Sequence, residues 1–190
     1  KMRMALSGPS GAGKTFTALE IATGLAGPGG NVGLLDSDEH SANIYANRFR
    51  FYHEPLPDTN PATYIKKIQE ADEAGIDVLV IDSLSHAWNG KEGALAMVDA
   101  ASKRTQGNKF VAWADVTPLQ NALIDAIKHA KCHVIVTMRA KMEYILEAGP
   151  NGKTAPRKVG LGPIQRDGIE YEFNFFAMLD EVFDKRLERE

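Results

Sequence analysis

Eight consecutive residues, Gly8-Pro9-Ser10-Gly11-Ala12-Gly13-Lys14-Thr15, restrict what this chain can become more than any other feature of it. They fit the pattern G-x-x-x-x-G-K-[ST] at every fixed position, and they lie between a short apolar run, Met2 to Ser7, and a segment of helical period, Lys14 to Ala26. A glycine-rich loop joining a strand to a helix is a phosphate cradle. Glycine lets backbone N–H groups close around phosphate oxygens, and the N-terminus of the following helix adds a favourable dipole. The spacing predicts that Gly8 through Phe16 bind a nucleoside triphosphate, with ATP expected. Lys14 is expected to reach the β- and γ-phosphates and the Thr15 hydroxyl to ligate magnesium.

The same alternation continues along the chain. Met2 to Ser7, Asn31 to Leu35, Val78 to Asp82, His133 to Met138 and Tyr171 to Leu179 read as strands. Between them Lys14 to Ala26, His40 to Phe49, Pro61 to Ala74 and Val116 to Ala130 read as helices, the third opened by Asp58-Thr59-Asn60-Pro61. Strands alternating with helices predict a three-layer α/β fold around a mostly parallel sheet. With 190 residues, 44% of them hydrophobic and 25% charged, residues 1–190 are expected to form one domain. Gly27-Pro28-Gly29-Gly30, Gly75 and the stretch Ala148 to Pro163 read as breaks, and the last is long for a connection, which predicts a functional or poorly ordered loop.

Charge and cysteine content narrow the class. A net charge of −3 excludes a uniformly basic nucleic-acid coat and leaves room for a local basic patch. The single cysteine, Cys132, has no partner for an intramolecular disulfide and is expected to be buried and inert. No apolar stretch approaches the length that crosses a bilayer, so the expected location is the cytoplasm, with no membrane partner.

Magnesium on a phosphate loop needs a second oxygen ligand. Val78-Leu79-Val80-Ile81-Asp82-Ser83 supplies one, because in a parallel sheet Asp82 falls at the carboxyl edge where ligands bind. The attacking water needs a base or orienting group, and Asp36-Ser37-Asp38-Glu39 lies at the end of the run Val32 to Leu35. The competing structural reading of that cluster is an acidic cap on the helix expected from His40.

Leu34-Leu35-Asp36-Ser37-Asp38-Glu39 with Ile44-Tyr45-Ala46, followed by Val80-Ile81-Asp82-Ser83, resembles the core of RecA-like recombinase ATPases, in particular the small core-only versions carried by bacteriophages. The late segment Lys158-Val159-Gly160-Leu161-Gly162-Pro163 and Gln165 to Phe173 shares the resemblance, which covers most of the chain. It implies ATP hydrolysis with Mg2+, single-stranded DNA as a partner, action in homologous recombination or strand annealing, and assembly into a ring or filament. A single-strand binding protein is a further implied partner, and a phage-encoded protein would work in the bacterial host. That family places a glutamate two residues after the strand-end acid; here Asp38 stands there and Glu39 follows, so either orients the water. The neighbourhood of the family's sensor reads Val136-Thr137-Met138-Arg139, which makes Thr137 and Arg139 the polar candidates and Arg139 a catalytic one. Lys158 or Arg166 resembles, by position, the basic residue that completes a neighbouring subunit's site.

Local charge agrees with a polyanion near these segments. Arg139, Lys141, Lys153, Arg157, Lys158 and Arg166 outnumber Glu143, Glu147 and Asp167, and Lys103, Arg104 and Lys109 form a second basic stretch. Tyr144 or Trp113 could offer a stacking face to single-stranded bases, although Trp113 reads more simply as core. His86 and Trp88 follow Asp82-Ser83 closely enough to approach the site but read more simply as structural, and His129 and His133 straddle a helix end and a strand start, a poor geometry for a shared metal. The competing class is a P-loop small-molecule kinase or a nucleotide-gated protein-binding switch. A kinase needs an acceptor pocket and lid arginines on a compact helical segment.

Overall fold

A computed structural model describes residues 1–38, 41–104, 107–148 and 154–180. Among them, strands β1 (Arg3–Gly8), β2 (Val32–Asp36), β3 (Tyr52–Pro55), β4 (Val78–Asp82), β5 (His133–Ala148), β6 (Thr154–Pro163) and β7 (Phe175–Met178) form one sheet. Its order is β3-β2-β4-β5-β1-β7, all parallel, with β6 antiparallel to the far half of β5. The helices are α1 (Lys14–Ala26), α2 (Pro61–Glu73), α3 (Leu84–Asn89), α4 (Ala94–Arg104) and α5 (Lys109–His129).

The three layers follow from the strand sequences. β2 and β4 are buried along their whole length, so successive side chains feed two cores on opposite faces of the sheet. Val32, Leu34, Val78 and Val80 pack with Ala18, Leu19 and Ala22 of α1. Leu35, Leu79 and Ile81 face the other way, against Tyr64 and Ile68 of α2 and Leu123 and Ile127 of α5. The chain is therefore an α/β protein with a mostly parallel sheet between helical layers, as the alternation predicts. A smaller cluster joins α4 to α5 through Val98 and Val116, and Trp88 stacks on Trp113 with ring centroids 5.6 Å apart, which makes Trp113 a packing residue.

Five local readings differ. The helix expected over residues 40–49 is a 3-10 helix, Ser41–Tyr45, because the Asp36 carboxylate draws in the Ala42 N–H at 3.2 Å and bends the chain at its start. The final strand shrinks to Phe175–Met178. Ile169–Glu172 is a second 3-10 helix, and strand pairing begins only where Asn174 bonds both the N–H and the carbonyl of Arg3.

The expected loop from Ala148 to Pro163 is largely strand: β5 and β6 pair from Ala140↔Pro163 to Ala148↔Thr154 as a hairpin with an irregularity at Glu143/Tyr144. Pro156 is tolerated there because β6 is an edge strand. The basic stretch around Lys103, Arg104 and Lys109 belongs to two helices. Lys103 and Arg104 lie in the last turn of α4, where cations suit the dipole, and Lys109 opens α5 with its ammonium 3.1 Å from Asp99. α5 runs from its Asn108 cap straight through Pro118, so it begins earlier than Val116.

Arg3 anchors α5 to β1. It is 6% exposed, and its guanidinium donates to the carbonyls of Met2, Lys128, Ala130 and Cys132, two of which lie at the α5 terminus where helical partners run out. Arg3→Met should lower unfolding stability by about 2–4 kcal/mol in a urea titration, since buried acceptors lose a charged donor. A change below about 0.5 kcal/mol, the ordinary range for surface positions, would mean water replaces the guanidinium.

Candidate nucleotide site

β5 lies between β1 and β4, so the carboxyl ends of β1 and β4 meet the middle of β5, at Arg139 and Ala140, around one cleft. The loop after β1 leads into α1 through Gly13 at φ 79°, and Gly11 also has positive φ (86°), conformations that other residues adopt only with strain. Gly8 is demanded by proximity: a Cβ there would lie 2.5 Å from the Leu179 carbonyl oxygen.

Ser10, Gly11, Gly13, Lys14 and Thr15 line a cleft of about 480 Å³ together with Asp38, Tyr45, Asp82, Ser83, Arg139, Ala140 and Ile164. That volume lies within the range of small-ligand sites. Lys14 Nζ donates to the Pro9 carbonyl at 2.7 Å, folding the ammonium over its own loop. Burial pushes the Lys14 ammonium below its ordinary value; Asp82 opposes the shift and Arg139 adds to it. Thr15 Oγ1 donates to Asp82 Oδ2 at 2.5 Å, and the Thr137 hydroxyl donates to Asp82 Oδ1. Phe16 packs its ring edge-on to Tyr45 and Phe49 with Arg48 4.6 Å over it, and its place in the first turn of α1 leaves its backbone N–H without a helical partner.

The donor set suits the expected ligands. A hydroxyl and a carboxylate 2.5 Å apart are hard oxygen donors of the kind magnesium takes beside phosphate. The buried Ser83 Oγ on the cleft wall also has no hydrogen-bond partner within the protein. Among the described residues no group of three or more His, Cys, Asp or Glu is placed to hold a metal without such help.

The acidic cluster separates by role. Asp36 is 1% exposed and fully engaged: Oδ1 accepts from the Asp38 N–H at 2.9 Å, and Oδ2 faces Ala42 N and His53 Nε2, the latter at 3.0 Å. Asp38 is exposed, lines the cleft and pairs with the Arg139 guanidinium at 2.8 Å. Glu39 lies outside the described residues. Ser37 and His86 received no role in the site from sequence reasoning, although Ser37 lies in the acidic cluster and His86 follows Asp82 closely. His86 Nδ1 stands 2.8 Å from Ser37 Oγ, bringing a residue read as structural onto the acidic turn.

The remaining predicted residues are dispersed. Arg166 Nη1 donates to Asn121 of α5 at 2.8 Å, while Lys158 is exposed on β6 opposite Tyr144. Lys153 lies outside the described residues. His129 Nδ1 meets the Asp125 carbonyl at 2.8 Å, and His133 Nδ1 accepts from Met2 N at 3.0 Å, so each ring is engaged separately. Cys132 is buried, and burial raises its thiol to about 11. No helix among the described residues is long and apolar enough to cross a membrane.

A parallel sheet with its glycine-rich loop, lysine, threonine and strand-end acid in one cleft defines a P-loop NTPase-type fold. Comparison with protein families adds the particular one: the chain belongs to the AAA domain family, whose model matches residues 1–186. No curated protein matches it closely enough to extend the comparison.

Proposed function

We propose that this protein is a magnesium-dependent, RecA-like ATPase that acts on single-stranded DNA in phage-type recombination or strand annealing. One observation carries the reading: the hairpin of β5 and β6 rises directly from the nucleotide cleft. Arg139 and Ala140 on β5 and Ile164 just after β6 line that cleft, and the Ile164 N–H closes the hairpin base onto the Arg139 carbonyl at 2.7 Å.

The chemistry follows from the residues. Thr15 and Asp82 would hold the magnesium, and Lys14 would offer its charge to the β- and γ-phosphate oxygens. When bound, magnesium would neutralise charge on those oxygens. Asp38 or Glu39 orients the attacking water, and Arg139, already on the cleft wall, offers charge to the transferred phosphoryl group. Beyond the cleft, Tyr144 and Leu146 are 62% and 74% exposed, and Lys158 pairs across from Tyr144. An exposed aromatic ring beside a lysine is the combination that stacks single-stranded bases and neutralises their phosphates.

Assembly into a ring or filament, with Lys158 or Arg166 completing a neighbour's site, belongs to the same proposal, as do a single-strand binding protein as partner and the cytoplasm of a bacterial host. The test is ATP turnover with and without single-stranded DNA across a salt series. Stimulation that fades as salt rises is expected, because phosphate contacts release counterions. Turnover indifferent to DNA at every salt concentration would turn the reading toward a small-molecule kinase or a protein-binding switch.

A further inference from the structure

We propose that His86 is a positioning residue for ATP hydrolysis, acting through Ser37 to hold Asp38 on the lip of the nucleotide cleft. The inference rests on the ATPase reading above and deepens it.

Asp38 sits on a turn of three residues whose first two side chains are fixed from outside the turn. Asp36 is held by His53, and its Oδ1 accepts the Asp38 backbone N–H at 2.9 Å. Ser37 is the second fixed point. Its backbone N–H donates to the Asp82 carbonyl at 2.8 Å, and its hydroxyl lies 2.8 Å from Ser83 N, 3.1 Å from the Asp82 carbonyl, 3.2 Å from the Ser83 carbonyl and 2.8 Å from His86 Nδ1. His86 Nδ1 also stands 3.1 Å from the Ser37 carbonyl oxygen.

Donor counting assigns the protons. A hydroxyl has one hydrogen, and the neighbouring carbonyls of Asp82 and Ser83 can only accept, so the Ser37 hydroxyl donates toward them. It then accepts from the Ser83 N–H and from His86. The Ser37 carbonyl also only accepts, so Nδ1 of His86 carries the hydrogen and shares it between the carbonyl and hydroxyl oxygens of Ser37. Burial, followed by the charge of Arg139, holds His86 below its ordinary value, with Asp38 and the Ser37 carbonyl opposing, which favours the neutral ring with that one N–H.

The consequence is geometric. To the bonds that Ser37 makes directly with Asp82 and Ser83, the imidazole adds a third tie, from α3 to the acidic turn after β2. Asp38 and the magnesium-side carboxylate thus belong to one connected hydrogen-bond network. Without His86, Ser37 keeps its backbone bond to the Asp82 carbonyl and its hydroxyl contact with the Ser83 N–H, but the hydroxyl and carbonyl of Ser37 lose the donor that fixes their orientation, and the pairing with Arg139 is left to draw Asp38 along the hairpin base instead of toward a phosphate. Small misplacements of an orienting group are costly in rate and cheap in binding, because the group meets the water and not the nucleotide.

The experiment is a mutant cycle on magnesium-dependent ATP turnover, with nucleotide affinity and thermal melting measured on every variant. His86→Ala should lower kcat by about 10- to 100-fold with KM for ATP little changed. His86→Asn, whose amide N–H can replace the Nδ1 donor, should restore most of the loss, and Ser37→Ala should reproduce it. In an Asp38→Asn background, His86→Ala should cost little more, since two residues acting as a unit are non-additive. His86→Ala with wild-type kcat, or losses from His86→Ala and Asp38→Asn that simply add, would overturn the assignment. Wild-type protein with no turnover above a Lys14→Ala control would overturn the ATPase reading itself, and the inference with it.

Discussion

Lys14→Ala protein should bind ATP weakly and turn it over at least roughly 10²–10³-fold more slowly than wild type, the scale seen when one preorganised charge or donor is taken from a transition state. The fold should survive. Lys14 Nζ makes one hydrogen bond, to the Pro9 carbonyl, and the side chain contributes to neither main core cluster. Stability should therefore change by no more than about 1 kcal/mol, the net worth of an ordinary hydrogen bond. The pair of measurements matters more than either alone. A coupled-enzyme assay reads turnover, and a melting curve shows whether the loss is chemical or structural. Turnover at the wild-type rate would remove the glycine-rich loop from the chemistry.

Asp82→Asn should be nearly as severe and differ in kind. The carboxylate accepts from Thr15 on one oxygen and from Thr137 on the other, and asparagine keeps one acceptor oxygen and no charge. Magnesium-dependent turnover is expected to fall about 10²-fold or more, while ATP binding without magnesium persists. Asp82 is 7% exposed, so neutralising it removes a buried charge, and the protein without nucleotide should be as stable as wild type or more so. The added thermal protection that magnesium gives in the presence of ATP should shrink, because that protection scales with the affinity of the loaded state. Undiminished magnesium protection would place the metal on other oxygens.

The placement of these two residues at the cleft was legible in the sequence because it follows from local spacing. A lysine after a glycine-rich loop meets phosphate wherever a strand precedes the loop and a helix follows it. An acid ending an apolar run lands at the sheet edge once the sheet is parallel. The alternation of apolar runs and helical segments likewise predicted the layers, and β2, β4 and α1 formed close to where their patterns lie.

Elsewhere the local signals misled for identifiable reasons. Glycine and proline between 148 and 163 read as a loop, yet an antiparallel partner turned much of that stretch into the hairpin, since pairing satisfies backbone groups that composition leaves open. Residues 40–49 read as a helix, yet the Asp36 carboxylate claimed the Ala42 N–H and bent the chain. Within the acidic cluster the spacing left the choice of acid open, and burial separates a buried Asp36 from an exposed Asp38.

By itself the sequence determined the phosphate loop, its lysine and threonine, the strand-end acid and the α/β class, because each depends on neighbours within a few residues. Only the tertiary structure decided that β5 lies between β1 and β4, that Thr137 hydrogen-bonds Asp82, that Arg139 faces Asp38 and that His86 reaches Ser37. These relations join residues 49 to 101 positions apart. Sequence spacing carries no information about such distances until strand order and register bring the chain ends of the sheet together.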